Sequence, residues 1–513
     1  MKRAFAYLLI TAALSTVAGC SSEDHDSYES VTPMTWEGDT TLPPFTGKPA
    51  AAQPLDPAAV PQNPFMARNP FSNYHNDTWM SDTFDIAGPL GRAPKSWSSN
   101  LQAARDPGAP NDLFLCGTLA FDTRGRIVTI CSNSVQSTAL LLDPESLAVK
   151  TSINLPVAGN MQAALGAGYM MLDNLDRAWS PVGNKLVVVS QNGSAENTSL
   201  SWSKYDLSGI PSDGVINSLV PDNNGRIWFV VRNYGMIGVL DTATNAVKTV
   251  QLNNEEISNS FAVNGTDAYI VTTKQMYRFT AGSDNVPTVV WSADYKNINQ
   301  KKPGQLSAGS GTTPTLLGQG KYVAIADNDY QTHVVVYRTD APLGAGVERK
   351  ICEVEVFEPG KGAVEDSLIG SGLSLIVSNN FGFSYVPQNF VDFGSVPGMS
   401  RVDIKADGSG CEKIWTNTVV NPASYGAKLS TKSGLAYVVA RKTDSSRPTA
   451  DYPNGMNVWY WTAIDFRTGT IAWEQLAGTG RWFDGYWPLP FLGPNGYLYM
   501  PANGGIFAMK DTY

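Results

Sequence analysis

The sequence predicts an all-β chain folded as a single β-propeller of eight four-stranded blades, with seven blades as the alternative count. Three observations carry this. From about residue 92 the chain becomes a succession of short apolar runs, such as Arg126-Ile127-Val128-Thr129-Ile130 and Lys185-Leu186-Val187-Val188-Val189, separated by turn signals. One unit then recurs along the chain. Finally, the last copy stops at Ile506-Phe507-Ala508-Met509 without an outer strand, and Pro94-Lys95-Ser96-Trp97-Ser98 is placed to supply it and close the ring.

The recurring unit is clearest in three places. Gly125-Arg126-Ile127-Val128 leads to Leu141-Leu142-Asp143 and then Ala148-Val149-Lys150-Thr151. Gly225-Arg226-Ile227-Trp228 leads in the same way to Val239-Leu240-Asp241 and Ala246-Val247-Lys248-Thr249, and Gly434-Leu435-Ala436-Tyr437 to Ala463-Ile464-Asp465 and Thr470-Ile471-Ala472-Trp473. Third-strand ends are expected near 143, 206, 241, 278, 338, 403, 465 and 509. A lone blade cannot bury both faces, so the blades stack in a ring that leaves only short edges.

The N-terminal part reads differently. Lys2 and Arg3, the apolar run Ala4–Ala13 and Val17-Ala18-Gly19-Cys20 resemble a bacterial lipoprotein signal peptide, residues 1–19. The resemblance implies acylation of Cys20, palmitate being one such chain, and anchoring to a membrane; with Ser21 following, it favours the outer membrane of a Gram-negative host. Residues 20–91, rich in proline, are expected to be a lipid-anchored spacer, with the aromatic-rich 66–91 as candidates to pack on the folded body. The propeller is expected over 92–513.

Composition narrows the function classes. A net charge of −9 and a charged fraction of 16% argue against nucleic acid as a partner. With Cys20 acylated, four cysteines remain, an even number suited to an oxidising compartment. Cys116 and Cys131 lie equidistant from the turn at Asp122–Gly125, and Cys352 and Cys411 sit in similar late-blade strands. The favoured pairings of the three available are therefore 116–131 and 352–411. Zinc is disfavoured because no CxxC accompanies any cysteine.

The segment Ala463-Ile464-Asp465-Phe466-Arg467-Thr468-Gly469-Thr470-Ile471-Ala472-Trp473 resembles the tryptophan-docking repeat of quinoprotein (PQQ) propellers. The resemblance implies that Asp and Gly form the outer turn and Trp packs on the next blade. It does not extend to the cofactor: quinoproteins of this class carry an adjacent Cys-Cys pair, and none occurs here, so PQQ is not expected.

The three histidines, His25, His75 and His333, are too few for a multi-histidine metal centre. A Ser-His-Asp triad would have to use His75 or His333. At the channel mouth, where first strands begin, the expected carboxylates are Asp173, Asp176, Glu255, Glu256, Glu365, Asp366 and Asp484. Together they could hold Ca²⁺ through oxygen ligands, or serve acid–base chemistry. Trp482 and Trp487 are candidate stacking surfaces for a small ligand or glycan. The leading reading is an envelope lipoprotein whose propeller binds or scaffolds, with other envelope proteins or a small molecule as partner. The alternative is an envelope enzyme (lyase, hydrolase or oxidoreductase) with its site at the channel mouth.

Overall fold

A computed structural model describes residues 31–102, 114–133, 136–156, 167–207, 209–384, 391–392, 394–449 and 452–513. Residues 1–19, expected to be a signal peptide, and Cys20 lie outside the described residues.

Eight four-stranded antiparallel units form a ring. Blades 1 to 7 span 115–154, 171–206, 216–251, 262–294, 315–355, 369–417 and 427–479. Blade 8 combines 491–510 with the N-terminal strand Lys95–Asn100, which runs antiparallel to Gly505–Lys510 and places Trp97 opposite Ala508. The ring thus closes as the sequence predicts, with one blade built from both ends of the propeller.

Blade 3 shows why these residues form these strands. Ile216–Pro221 and Ile227–Val231 are buried throughout, Met236–Asp241 nearly so, and Ala246–Gln251 alternates between half-buried and exposed. Inner strands lie between neighbouring blades and must be apolar on both faces; the outer strand meets water on one side. The turns between first and second strands repeat a second device. The carboxylate of Asp222 accepts N–H bonds from Asn224 and Arg226 and pairs with the Arg226 guanidinium at 2.7 Å. Asp122 with Arg126 and Asp173 with Arg177 do the same.

Both disulfides form as expected. Cys116 and Cys131 are register partners in the first hairpin of blade 1, and Cys352 and Cys411 join the outer strands of blades 5 and 6.

Two expectations need correction. Asp206 ends the outer strand of blade 2, Thr198–Asp206, rather than its third strand, Lys185–Gly193. The inner strand of that blade is only Met171–Leu172, too short to leave an apolar run, so the count slips by one strand. Residues 31–91 are also not a free spacer. Phe45–Gly47 adds a strand outside blade 7, pairing with Trp473–Gln475, and Thr83–Phe84 adds one inside it, pairing in parallel with Leu429–Ser430.

Between these two strands the chain enters the central channel. The carbonyls of Phe71, Ser72, Thr78, Trp79, Ser81 and Asp82 accept backbone N–H bonds of 2.6–3.2 Å from Phe121, Leu172, Val263, Leu316, Gly370 and Leu429, on the innermost strands of blades 1, 2, 4, 5, 6 and 7. The Asn63 amide reaches the carbonyl of Pro221 in blade 3. Innermost strands have no partner on the channel side, and this segment satisfies their free edges. It plugs the channel where those strands end.

Candidate functional site

With one end plugged, the channel is a blind cavity open where the innermost strands begin. It holds about 930 Å³ of space, the open mouth included. Its floor is Tyr74 and His75 of the plug; its walls come from the starts of first strands and the ends of second strands, among them Cys116, Tyr169, Asn259, Arg232, Glu365, Asp366 and Trp487.

The two acids sit on the loop leading into the first strand of blade 6. Each is seated against a glycine: a methyl group at Gly311 would collide with the Glu365 carboxylate, and one at Gly426 with that of Asp366. Asp366 accepts one bond from the Asn380 amide at 3.0 Å. Neither carboxylate oxygen of Glu365, a residue 5% exposed, makes a hydrogen bond of accepted geometry. Burial pushes both carboxyl groups well above the usual carboxylate range; the Leu306 backbone and the Arg232 charge offset this for Glu365 only in part. Arg232 is already committed, with its Nε 2.8 Å from Glu256. Tyr169 donates to Asn259 at 3.2 Å, and burial drives its phenol pKa up. Tyr486 rises to about 12 for the same cause.

The floor is a buried polar network. His75 Nδ1 faces the Asp82 carboxylate at 3.1 Å, and Ser367 Oγ lies 2.8 Å from the same nitrogen while donating to Asp82. Lys428 Nζ is 3.6 Å from Asp82, donates to Asn76 Oδ1 at 2.6 Å and lies over the Phe491 ring. Burial lowers its pKa to about 8. An imidazole whose Nδ1–H points at a carboxylate presents Nε2 as a lone-pair acceptor, and Nε2 of His75 has no hydrogen-bond partner. This is not a hydrolase triad. Such a triad needs the serine on one ring nitrogen and the carboxylate on the other, whereas Ser367 and Asp82 both meet Nδ1.

Of the residues singled out in the sequence, Glu365, Asp366 and Trp487 line the cavity, and Glu256 anchors the Arg232 beside them. The others lie elsewhere. Asp173 and Asp176 are at the plugged end, where Asp173 holds Arg177 and the Trp179 indole and Asp176 holds Thr123. Their part in the repeated Asp–Arg turn explains them. Glu255 accepts bonds from Thr272 and Tyr277. Asp484 is fully buried, its charge acting on Tyr425, and Trp482 is half-buried beneath the Arg481 guanidinium; neither lines the cavity. These carboxylates therefore do not converge on one ion-sized position. Among the described residues, the trio close enough for a metal is Asp327, Asp329 and His333 on blade 5. There His333 Nδ1 already meets Asp327 at 2.7 Å, and Lys296 and Lys302 supply positive charge nearby.

Sequence reading missed the floor. The sequence offers His75 only as a possible triad member, and Tyr74, Asp82, Tyr169, Arg232 and Lys428 leave no linear signal. The Asp-x-x-x-Arg turns could have excluded Asp173 beforehand.

No family model matches this chain. An uncharacterized protein of Archaeoglobus fulgidus is 22% identical over 488 residues, spanning 88% of this chain and 91% of that protein. Among solved structures, Sqt1 of Chaetomium thermophilum is 12% identical with a TM-score of 0.48, covering 79% of this chain and 97% of its own. Virginiamycin B lyase from Staphylococcus aureus is 12% identical with a TM-score of 0.36, covering 66% and 93%.

Proposed function

We propose that this chain is a binding propeller that receives a small ligand in its blind cavity, held at a bacterial membrane through a lipid on Cys20. The observation behind the ligand reading is the pair of buried, unpartnered polar groups on its lining, the Glu365 carboxyl and His75 Nε2. Native interiors rarely leave such groups unsatisfied, because each costs roughly 1–3 kcal/mol. A ligand that supplies the missing partners regains that energy on binding. The cavity is also built from loops of several blades and floored by a plug whose backbone is bonded to six of them, an arrangement that favours a preformed site.

The same carboxyl supports an enzymatic reading. A carboxyl group whose proton burial holds more tightly than usual can act as a proton donor, and Glu365 stands in that position on the cavity wall.

The test is a thermal-shift screen of the full chain in detergent against metabolite and oligosaccharide sets, repeated with Glu365→Gln. Binding that raises the midpoint in the parent and is weakened by the substitution supports the site. Chemical conversion of a bound compound, lost in Glu365→Gln, would move the reading to an enzyme. A screen without any cavity ligand, alongside stable capture of another envelope protein on the opposite face, overturns the ligand reading in favour of a scaffold. The anchor is checked separately by mass spectrometry of the N-terminus: acylation absent from Cys20 overturns that part.

A further inference from the structure

We infer that the ligand is an organic cation, a protonated amine or guanidinium whose N–H groups meet Glu365 and His75 and which also carries a carbonyl or hydroxyl oxygen for Trp487. This rests on the reading of the cavity as a ligand site and adds the charge and polarity of what enters it.

The groups left over on the cavity lining are almost all acceptors. Glu365 offers its two carboxyl oxygens, both of them acceptors once an incoming cation displaces the proton that burial favours, and His75 offers Nε2, its other nitrogen being turned to Asp82. Tyr74, Tyr169 and Tyr486 share the lining with them, and an aromatic ring is itself an acceptor for positive charge. Two cations beside the cavity are already engaged. Arg232 pairs with Glu256, and Lys428 is held by Asp82, Asn76 and the Tyr74 carbonyl. The protein therefore arranges acceptors without supplying their donors. An ammonium or guanidinium is a donor-only group with three or five N–H bonds to give, and it brings the charge that a buried carboxylate needs. An anionic ligand would meet Glu365 and Asp366 beside an Arg232 whose charge is already shared with Glu256. A buried donor left over on the lining is the Trp487 indole N–H, which calls for an oxygen acceptor on the same ligand. The chain's net charge of −9 also favours the approach of cations over anions.

The experiment uses the full chain in detergent and isothermal calorimetry. The probes are N-acetyl-lysinamide and N-acetyl-argininamide, their uncharged counterpart N-acetyl-norleucinamide, the acidic N-acetyl-glutamate, and agmatine as a cation lacking the carbonyl. The expected result is that one or both cationic amides bind roughly tenfold or more tightly than the uncharged one, the worth of one charged hydrogen bond. Agmatine should bind more weakly than the argininamide. Glu365→Gln should keep the thermal midpoint and remove the preference for charge. His75→Gln, whose amide also presents donors, serves as a second variant if Glu365→Gln misfolds, and should weaken the cations more than the uncharged amide. The inference is overturned if the uncharged or acidic probe binds at the cavity as tightly as the cations, which leaves the ligand site standing. It is overturned if the charge preference survives Glu365→Gln, which places the cation elsewhere. If no probe binds and the wider screen also finds no cavity ligand, both readings fall together.

Discussion

His75 Nδ1 and the Asp82 carboxylate lie 3.1 Å apart within the plug, seven residues apart in sequence, and this contact decides which edge of the imidazole is free. Asp82 has a left-handed backbone, φ 50°, which folds the plug back so that its carboxylate reaches His75 and Lys428 together. Floor geometry and channel closure are thus one local structure.

Asp82→Asn is therefore expected to be costly. It leaves the Lys428 ammonium, fully enclosed among Tyr74, Phe84 and Phe491, without its counter-charge. Breaking one partner of a buried pair costs about 3–5 kcal/mol, whereas replacing both is far milder. Urea unfolding should show that loss in Asp82→Asn and a substantial recovery in the double variant Asp82→Asn, Lys428→Met. A single variant as stable as the parent would mean the plug does not depend on this pair.

A loss of stability from acid towards neutral pH should trace in part to Asp77. Burial raises its carboxyl from 3.8 to about 7, against bonds from Trp79 and Ser81 that pull the other way. The folded state therefore binds a proton more tightly than the unfolded chain. Between about pH 4 and 7 the unfolded chain has lost that proton while the fold retains it, so stability falls as pH rises, by up to about 1.4 kcal/mol per unit. Asp77→Asn keeps an acceptor for the Trp79 N–H and has no proton to lose. Denaturation across that range should show a flatter profile in the variant; parallel profiles would refute the assignment.

The parts of the fold legible in the sequence are those fixed by short-range pattern. Asp465 to Gly469 is one turn, the Cys116–Cys131 hairpin is symmetric about another, and the strand at Trp97 was recognisable because blade 8 was visibly one strand short. The cavity acids were also found, because Glu365 and Asp366 precede a first strand. The plug was not legible. Residues 66–84 have no strand or helix period, since their backbone bonds go to six different blades. The pairing of His75 with Ser367 spans 292 positions. Such contacts arise only once the ring exists.

The plug should also be removable in part by one side chain. Trp79 is 5% exposed, its indole donates to Asn264 at 3.2 Å, and its carbonyl takes the Leu316 N–H. Trp79→Ala deletes a large buried ring and is expected to cost about 3–5 kcal/mol. Hydrogen exchange should then speed up at Val263, Leu316 and Gly370, whose N–H groups end on the plug. Exchange unchanged at those amides would show that the backbone bonds alone hold the segment.

The two disulfides should differ in worth. Cys352–Cys411 closes a separation of 59 residues and Cys116–Cys131 one of 15. Loop-closure entropy gives about 4 kcal/mol for the first and about 3 for the second. The structure widens the gap. Cys116 and Cys131 face each other in a hairpin already held by strand pairing, and the short loop between them closes readily without a bond. Cys352 and Cys411 instead link two blades through half-buried outer strands, where neighbouring blades are furthest from the common core. Denaturant unfolding of the paired alanine variants should therefore show the larger loss for Cys352→Ala, Cys411→Ala, with reducing agent lowering the parent towards it. A larger loss from the blade 1 pair would show that the hairpin bond, which lines the cavity through Cys116, does more than close a loop.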